Sequence, residues 1–415
     1  MIGVGAAGPR PGDGAGLGLR PVAPTRMPGW GGLALHRLDA ADERPFWVAL
    51  SLIPGLGPVA FARLLQRFGS GRAAWQSGPS ILEELQRPTP EAPEALRRLR
   101  HAGPRTLLRR VETALRQVDG RILTAMDDEY PPALRDADPR PAVLYHAGEL
   151  SAFEAPGVAV VGTRRASAYG RATAVAVADE LARSGVTVIS GLALGIDGEA
   201  HAAAVDAGGR SVAVLPSPID RVYPPRHRGL AARLIAGGGG VVSELPPGQL
   251  PGRPDFARRN RVIAGLARAT VVVEAPDRSG ALLTAAAAVQ LGREVHAVPG
   301  PIDAVGSRGC NRLIADHIAA LVTSPAGLVA SLGLRSREGS GGVAQLSDPE
   351  ALVLARLLKR PASIEELVGP TELGAGTIAG ALTMLEARGL VTSYGGATYH
   401  PTLIARRLGR RGWTA

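Results

Sequence analysis

The sequence predicts an α/β protein built on a doubly wound, mostly parallel sheet, with a helical module before it and a small three-helix module after it. Three observations carry this reading. Six short valine-rich runs alternate with alanine-rich helical stretches between Gly157 and about Ala330. Apolar residues recur at helical spacing from Arg44 to about Arg116. Beyond a polar Gly/Ser stretch, three helical segments precede two short extended ones.

The chain of 415 residues suggests two to four domains. A hydrophobic content of 45% is enough for a full core, which excludes wholesale disorder. Residues 1–40 are rich in Gly, Pro and Arg without apolar periodicity and read as a disordered leader, with Met27 a possible start. The helical module spans 44–120, with Pro breaks near 88–93 and at Pro104. Within it, Pro54-Gly55-Leu56-Gly57 joins two helical runs. It reads equally as a phosphate-binding helix-hairpin-helix turn and as a plain helix-helix connection.

A connector, Asp127-Asp128-Glu129-Tyr130-Pro131-Pro132, and an extended piece at 142–145 lead into the central region, 121–333. Valine runs at 158–161, 186–190, 211–215, 240–243, 270–274 and 294–298 are the expected strands. Helical stretches at 170–183, 198–206 and 280–291 lie between them, and in the first Val175, Ala178 and Leu181 share a face. Strands separated by crossover-length helices imply a parallel sheet covered on both faces. Such sheets bind ligands beyond the carboxyl ends of their strands, where strand order reverses. Residues 334–345 form a polar linker. The last module, 346–400, has helices near 349–359, 363–368 and 374–388, then a hairpin turning at Gly395-Gly396, which is the winged-helix pattern. A basic tail, 401–415, closes the chain.

Charge narrows the partners. The net charge is +10, and Lys359 is the single lysine. Arginine gives planar, bidentate phosphate recognition, so nucleic acid or nucleotide is the first partner to consider. One cysteine, Cys310, excludes an intrachain disulfide. No apolar run reaches the roughly 18 residues of a membrane span, and no signal peptide opens the chain. A cytoplasmic protein without membrane contact is expected.

Four loops after strands carry the candidate chemistry. Gly162-Thr163-Arg164-Arg165-Ala166-Ser167 runs into a helix whose free N–H groups favour an anion, and it is not the dinucleotide GxGxxG loop. Ser190-Gly191-Leu192-Ala193-Leu194-Gly195-Ile196-Asp197 lets backbone approach a ligand, with Asp197 placed to cap a helix. From Arg253 to Arg268, five arginines stand against Asp255, and Arg258 and Arg261 share a helix face as a phosphate-tracking surface. Glu274-Ala275 ends a strand, and Ser279-Gly280 opens another helix N-terminus. Their convergence on one sheet edge predicts a groove. Catalytic sets are missing: there is no Gly-x-Ser-x-Gly, Walker loop or zinc cluster, and Cys310 has no evident base. No cofactor or metal is implied.

Taken together, Val161-Gly162-Thr163-Arg164, Ser190-Gly191-Leu192-Ala193, Gly195-Ile196-Asp197, Arg259-Asn260-Arg261, Ser279-Gly280, Val298-Pro299-Gly300 and Gly309-Cys310-Asn311 resemble the DNA-processing protein A family (DprA, also called Smf). The resemblance covers about 45–400 and implies a Rossmann-like central domain and a non-catalytic recombination mediator. It further implies single-stranded DNA as ligand, a homodimer, and help in loading RecA during natural transformation. The implied DNA pocket uses Gly162, Thr163, Arg164, Ser167, Ser190, Gly191, Arg259, Asn260, Arg261, Ser279 and Gly280, to which the tracking face adds Arg258. Three departures stand out. Leu194 replaces a lysine found in some members, Pro216-Ser217-Pro218 replaces a Gly-x-Gly, and Ala257 replaces a proline. Leucine removes a phosphate contact, and proline removes N–H donors.

Two other classes compete. A phosphoribohydrolase-like nucleotide enzyme needs a Pro-Gly-Gly-x-Gly-Thr loop, where this chain has Val298-Pro299-Gly300-Pro301. A winged-helix transcription regulator needs cations on its third helix, and 373–388 carry Arg388 against Glu386. With 4% aromatic residues, the protein is expected to track backbone rather than bases.

Overall fold

A computed structural model of the chain describes Trp30, Leu35, residues 38–85, 89–334, 346–388, 390–393, 398–402 and Ala405. The expected linker, the hairpin turn at Gly395-Gly396 and nearly all of the basic tail lie outside the described residues, as does most of the leader. Trp30, inside the expected leader, is 3% exposed. Its ring lies 5.8 Å from Trp47 and 6.1 Å from Phe61, under the Arg140 guanidinium. The anchored chain therefore begins before residue 40.

The helical module contains α1 (Ala40–Ser51), α2 (Pro58–Phe68), α3 (Gly71–Gln76), α4 (Ala92–Ala102) and α5 (Pro104–Arg116). Asp39 starts α1 by accepting from the N–H groups of Ala41 and Asp42, which satisfies two of the donors a helix start leaves open. Pro58 and Pro104 open α2 and α5, where a missing N–H costs nothing.

Then follow β1 (Gly120–Thr124), α6 (Pro132–Arg135), β2 (Val143–Gly148), β3 (Gly157–Val161), α7 (Ala168–Arg183), β4 (Thr187–Ser190), α8 (Ile196–Asp206), β5 (Ser211–Val214), α9 (Arg228–Ala236), β6 (Gly240–Ser243), α10 (Arg253–Leu266), β7 (Ala269–Val272), α11 (Gly280–Gln290), β8 (Glu294–Ala297), α12 (Arg308–Ala315), β9 (Ala320–Leu321) and α13 (Pro325–Ser331). Among the described residues, nine strands form one sheet in the order β1-β2-β6-β5-β4-β3-β7-β8-β9. The pairings from β6 to β9 are parallel, and β2 joins β6 antiparallel. The fold is the expected Rossmann-like α/β sheet, and all six valine runs are strands. Along β3, Val158 and Val160 enter one core while Ala159 and Val161 enter the other. Both faces are covered, so the strands read as unbroken apolar runs. From β3 the sheet grows to β4 on one side and β7 on the other. That reversal opens a crevice above their carboxyl ends.

The C-terminal winged helix contains α14 (Asp348–Lys359), α15 (Ile364–Thr371), α16 (Ala375–Ala387), β10 (Val391–Ser393) and β11 (Tyr399–Pro401). Two Ser-x-x-Glu capping boxes, Ser347 with Glu350 and Ser363 with Glu366, set the starts of α14 and α15.

Candidate nucleic-acid interface

A groove of about 500 Å³ lies above the switch between β3 and β7. The β3 loop contributes Gly162, Thr163, Arg164 and Arg165, α10 contributes Arg253, Phe256, Arg259 and Asn260, and the β7 loop contributes Arg278, Ser279 and Gly280. Five arginines therefore face one crevice with Asp197 as its carboxylate. Among the described residues, Arg164, Arg165, Arg253 and Arg278 pair with no carboxylate, which leaves an uncompensated cationic rim.

Arg259 differs from these four. It is 8% exposed, and its Nη1 donates to the carbonyls of Gly191 at 2.5 Å and Val214 at 3.0 Å. Its Nε donates to Asn260 Oδ1 at 3.1 Å, and Asn260 Nδ2 donates to the Gly280 carbonyl at 3.2 Å. One guanidinium thus ties together the ends of β4 and β5 and, through Asn260, the start of α11. Burial pulls its pKa down to about 10, an effect that nearby Asp197 opposes. Burial pushes the Asp197 carboxyl up, and Arg259 works against that shift. Asp197 accepts from the Gly191 N–H at 3.1 Å, which fixes the same loop from the other side. A Cβ at Gly191 would sit 1.8 Å from Arg259 Nη1, so only glycine lets the guanidinium in. At Gly162 a Cβ would come within 2.9 Å of the Glu274 carbonyl, which accepts from Thr163 N–H.

The expected anion site at the start of α7 is already filled. Glu274 Oε2 accepts from the backbone N–H of Ser167 at 2.9 Å and from its hydroxyl at 3.1 Å. Ser167 is spent on capping, accepting from Gly170 N–H. An internal carboxylate therefore takes the place foreseen for a phosphate.

Of the expected site residues, Gly162, Thr163, Arg164, Arg259, Asn260, Ser279 and Gly280 line the groove, and Gly191 lines a smaller pocket opening beside it. The others do not. Ser190 is buried and donates to the Val160 carbonyl. Arg258 pairs with Asp255 at 3.2 Å and lies beneath Gly57. Arg261 donates to the Pro139 carbonyl and is ion-paired with Glu244. The shared groove expected for Arg164, Arg259 and Arg261 is thus corrected: at about 100° per residue, positions 259 and 261 project to nearly opposite sides of α10. Arg258 and Arg261 do share a face, and that face meets carboxylates. Three groove-lining arginines were absent from the expected pocket: Arg165 and Arg253, which lie within stretches already singled out, and Arg278, which immediately precedes Ser279.

The Pro54–Gly57 turn is also largely spoken for. The N–H groups of Ile53, Leu56 and Gly57 bond the carbonyls of Leu50, Ile53 and Gly55, so these three donors are not open to a phosphate, and Gly57 lies beside the Arg258 guanidinium of α10. Cys310 is buried against the Val272 carbonyl, and burial pushes its thiol up to about 12. Among the described residues, no cluster of three or more His, Cys, Asp or Glu is arranged to hold a metal. Nor is any helix long and apolar enough to cross a membrane.

Comparison with known proteins gives a consistent picture. The family described as DNA recombination-mediator protein A matches residues 121–333, and the DprA winged helix domain matches residues 341–397. Protein Smf of Synechocystis is 34% identical over 401 residues, covering 87% of this chain and 99% of that protein. A putative DNA processing protein DprA of Mycobacterium tuberculosis is 43% identical over 291 residues, 65% of this chain and 74% of that one. The crystal structure of DNA processing protein A from Streptococcus pneumoniae superposes with a TM-score of 0.58 at 31% identity, over 69% of this chain and 95% of that one.

Proposed function

Because this chain belongs to the DNA recombination-mediator protein A (DprA/Smf) family, whose role is DNA processing in recombination, we propose that it binds single-stranded DNA in the groove between β3 and β7. In this reading it acts in the cytoplasm as a non-catalytic homodimer that shields the strand and helps load RecA. The observation that supports the reading best is the rim of Arg164, Arg165, Arg253 and Arg278, four cations without carboxylate partners above a sheet switch point. Phosphate neutralisation supplies most of the affinity in such complexes and makes it salt-dependent. A flexible single strand bends into a crevice about two loops wide, whereas a duplex is held straight by its stiffness.

Fluorescence anisotropy with a labelled oligo-thymidine strand, the matching duplex and a mononucleotide tests this. The expected order is single strand tighter than duplex, with the mononucleotide far weaker. Equal affinity for strand and duplex would refute it. For the RecA step, the measurement is RecA filament growth on strands coated with a single-strand-binding protein, with and without this protein.

A further inference from the structure

The helical module carries a second cationic surface, at the β1 end of the sheet and away from the arginine rim. Along α5, Leu107, Val111 and Leu115 turn inward and are buried, while Arg105, Arg109 and Arg116 are exposed. At about 100° per residue these three arginines fall within about 40° of one another, in a row about 16 Å long. Arg110 flanks the row and Arg121 stands at the start of β1, and both are exposed. Among the described residues, no carboxylate pairs with any of the five. Glu112 and Asp119 are the acids nearby in sequence, so five cations stand against two anions.

This row is unlike its neighbours. On α4, Glu94 pairs with both Arg97 and Arg98, and Glu83 and Glu84 pair with Arg67 of α2. Arg105 and Arg109 are one turn apart, and like charges at that spacing oppose helix formation. The row does not help the fold, and it suits a partner that supplies the missing negative charge. Among the described residues, no exposed large apolar side chain belongs to α5, whereas a protein interface has an apolar centre. Cations repeated along a line match the repeated phosphates of a nucleic-acid strand.

The topology connects the row to the groove. Strand β2 is antiparallel to both β1 and β6, so β1 runs in the same direction as β3. Helix α5 packs on β1 and turns back into it within residues 117–119, with Leu115 against Gly120. Its Arg105 end therefore points to the carboxyl edge of the sheet, on which the groove opens. β1 stands five strand positions from β3, roughly 24 Å at the usual strand spacing.

We propose that Arg105, Arg109 and Arg116 form a second phosphate-binding track, which holds the part of a long single strand that extends beyond the β3–β7 groove. The proposal rests on the reading of the groove as a single-strand site. It gives the helical module a part in holding DNA that does not use the Pro54–Gly57 turn.

The test uses the full chain and oligo-thymidine strands of about 10 and about 25 nucleotides, the shorter within the length one site engages. Anisotropy is read across a salt series. In the parent, the slope of log affinity against log salt should be steeper on the longer strand by about 2, from three contacts at about 0.7 each. The triple variant Arg105→Ala, Arg109→Ala, Arg116→Ala should bring that slope down to the shorter strand's value and weaken the longer strand about tenfold at low salt. It should leave the shorter strand and the unfolding midpoint as in the parent. Arg278→Ala should instead weaken both lengths alike. Equal slopes for the two lengths in the parent, or equal losses on both in the triple variant, overturn the track while leaving the groove. A loss confined to the longer strand in the triple variant, with neither strand affected by Arg278→Ala, overturns the groove reading while leaving the track. Binding to phosphatidylglycerol vesicles that the triple variant loses, with its longer-strand affinity unchanged, assigns the row to a lipid surface and overturns the proposal.

Discussion

Arg259 Nη1 donates to the Gly191 carbonyl at 2.5 Å, across 68 residues of sequence and inside a loop that only glycine could leave open. The two residues belong to the elements on either side of the groove, so the wall and the cation are one construction. An arginine that looks like a phosphate ligand in the sequence is therefore first a brace. Its removal should therefore cost stability as well as affinity.

Arg259→Ala should destabilise the protein by about 3 kcal/mol, because three buried acceptors lose a charged donor. Arg259→Lys should recover little, since one ammonium group cannot span the Gly191, Val214 and Asn260 oxygens. Urea unfolding followed by circular dichroism reads both variants. An unchanged midpoint for the alanine variant would show that the brace is unimportant.

The exposed rim should behave in the opposite way. Single alanine substitutions of Arg164, Arg253 and Arg278 should leave the unfolding midpoint within about 0.5 kcal/mol of the parent. Each should lower single-strand affinity and flatten the slope of log affinity against log salt by about 0.7. Arg261→Ala should lower stability, because it strips Glu244 of its ion-pair partner. Its salt slope should match that of the parent. A flattened slope in Arg261→Ala would put the DNA on the other side of α10.

How much was legible in advance follows from this contrast. The six central strands were readable because burial on both faces makes each a short apolar run. Strand β1 was not, since at the sheet edge its Arg121 is exposed and only Ile122 and Leu123 mark it. The groove's location was readable from loops that end on one sheet edge. The direction of each arginine was not, because the rotation of α10 is set by Glu244, Pro139 and Gly191, far away in sequence. For the same reason the start of α7 looked open: Glu274, which fills it, lies 107 residues from Ser167.

Two buried histidines make acid stability predictable. Burial lowers His146 and His201 to about 3, well below the ordinary 6.5. A depressed pKa stabilises the fold fully above pH 6.5, and that contribution is lost as pH falls toward 3, because the unfolded chain takes up protons the folded one refuses. Between those limits each histidine should cost about 1.4 kcal/mol of stability per pH unit. His146→Gln should flatten the dependence of the urea midpoint on pH between 6 and 4. An identical pH profile in variant and parent would show that His146 is not held neutral.

The lone thiol gives a clean readout of the core. Cys310 is fully buried, and its raised pKa leaves almost no thiolate at neutral pH. A disulfide reagent should titrate no thiol in the native protein and one per chain in denaturant. Rapid native labelling would mean that α12 opens readily from β7 and would reopen a chemical role for the cysteine.

The winged helix should not be the main DNA reader. Over 346–400 it carries Arg356, Lys359, Arg360 and Arg388 against Asp348, Glu350, Glu365, Glu366, Glu372 and Glu386, a balance of −2. A DNA-reading winged helix presents cations on its third helix. Here α16 instead exposes Ala375, Gly376, Thr377 and Gly380, and Arg388 at its end lies 3.4 Å from Glu350. Strand β11 faces the sheet domain, with His400 Nε2 3.2 Å from Asp136 Oδ2, so the module packs against protein. The arginines beyond Pro401 would confuse a simple deletion, and two truncated chains avoid this, one ending at Pro401 and one at Gly341. Both keep the arginine rim intact. Their single-strand affinities should agree within about threefold, while the shorter one loses any self-association or protein contact that the module mediates. A tenfold weaker affinity in the shorter chain, about 1.4 kcal/mol, would return the winged helix to the DNA site.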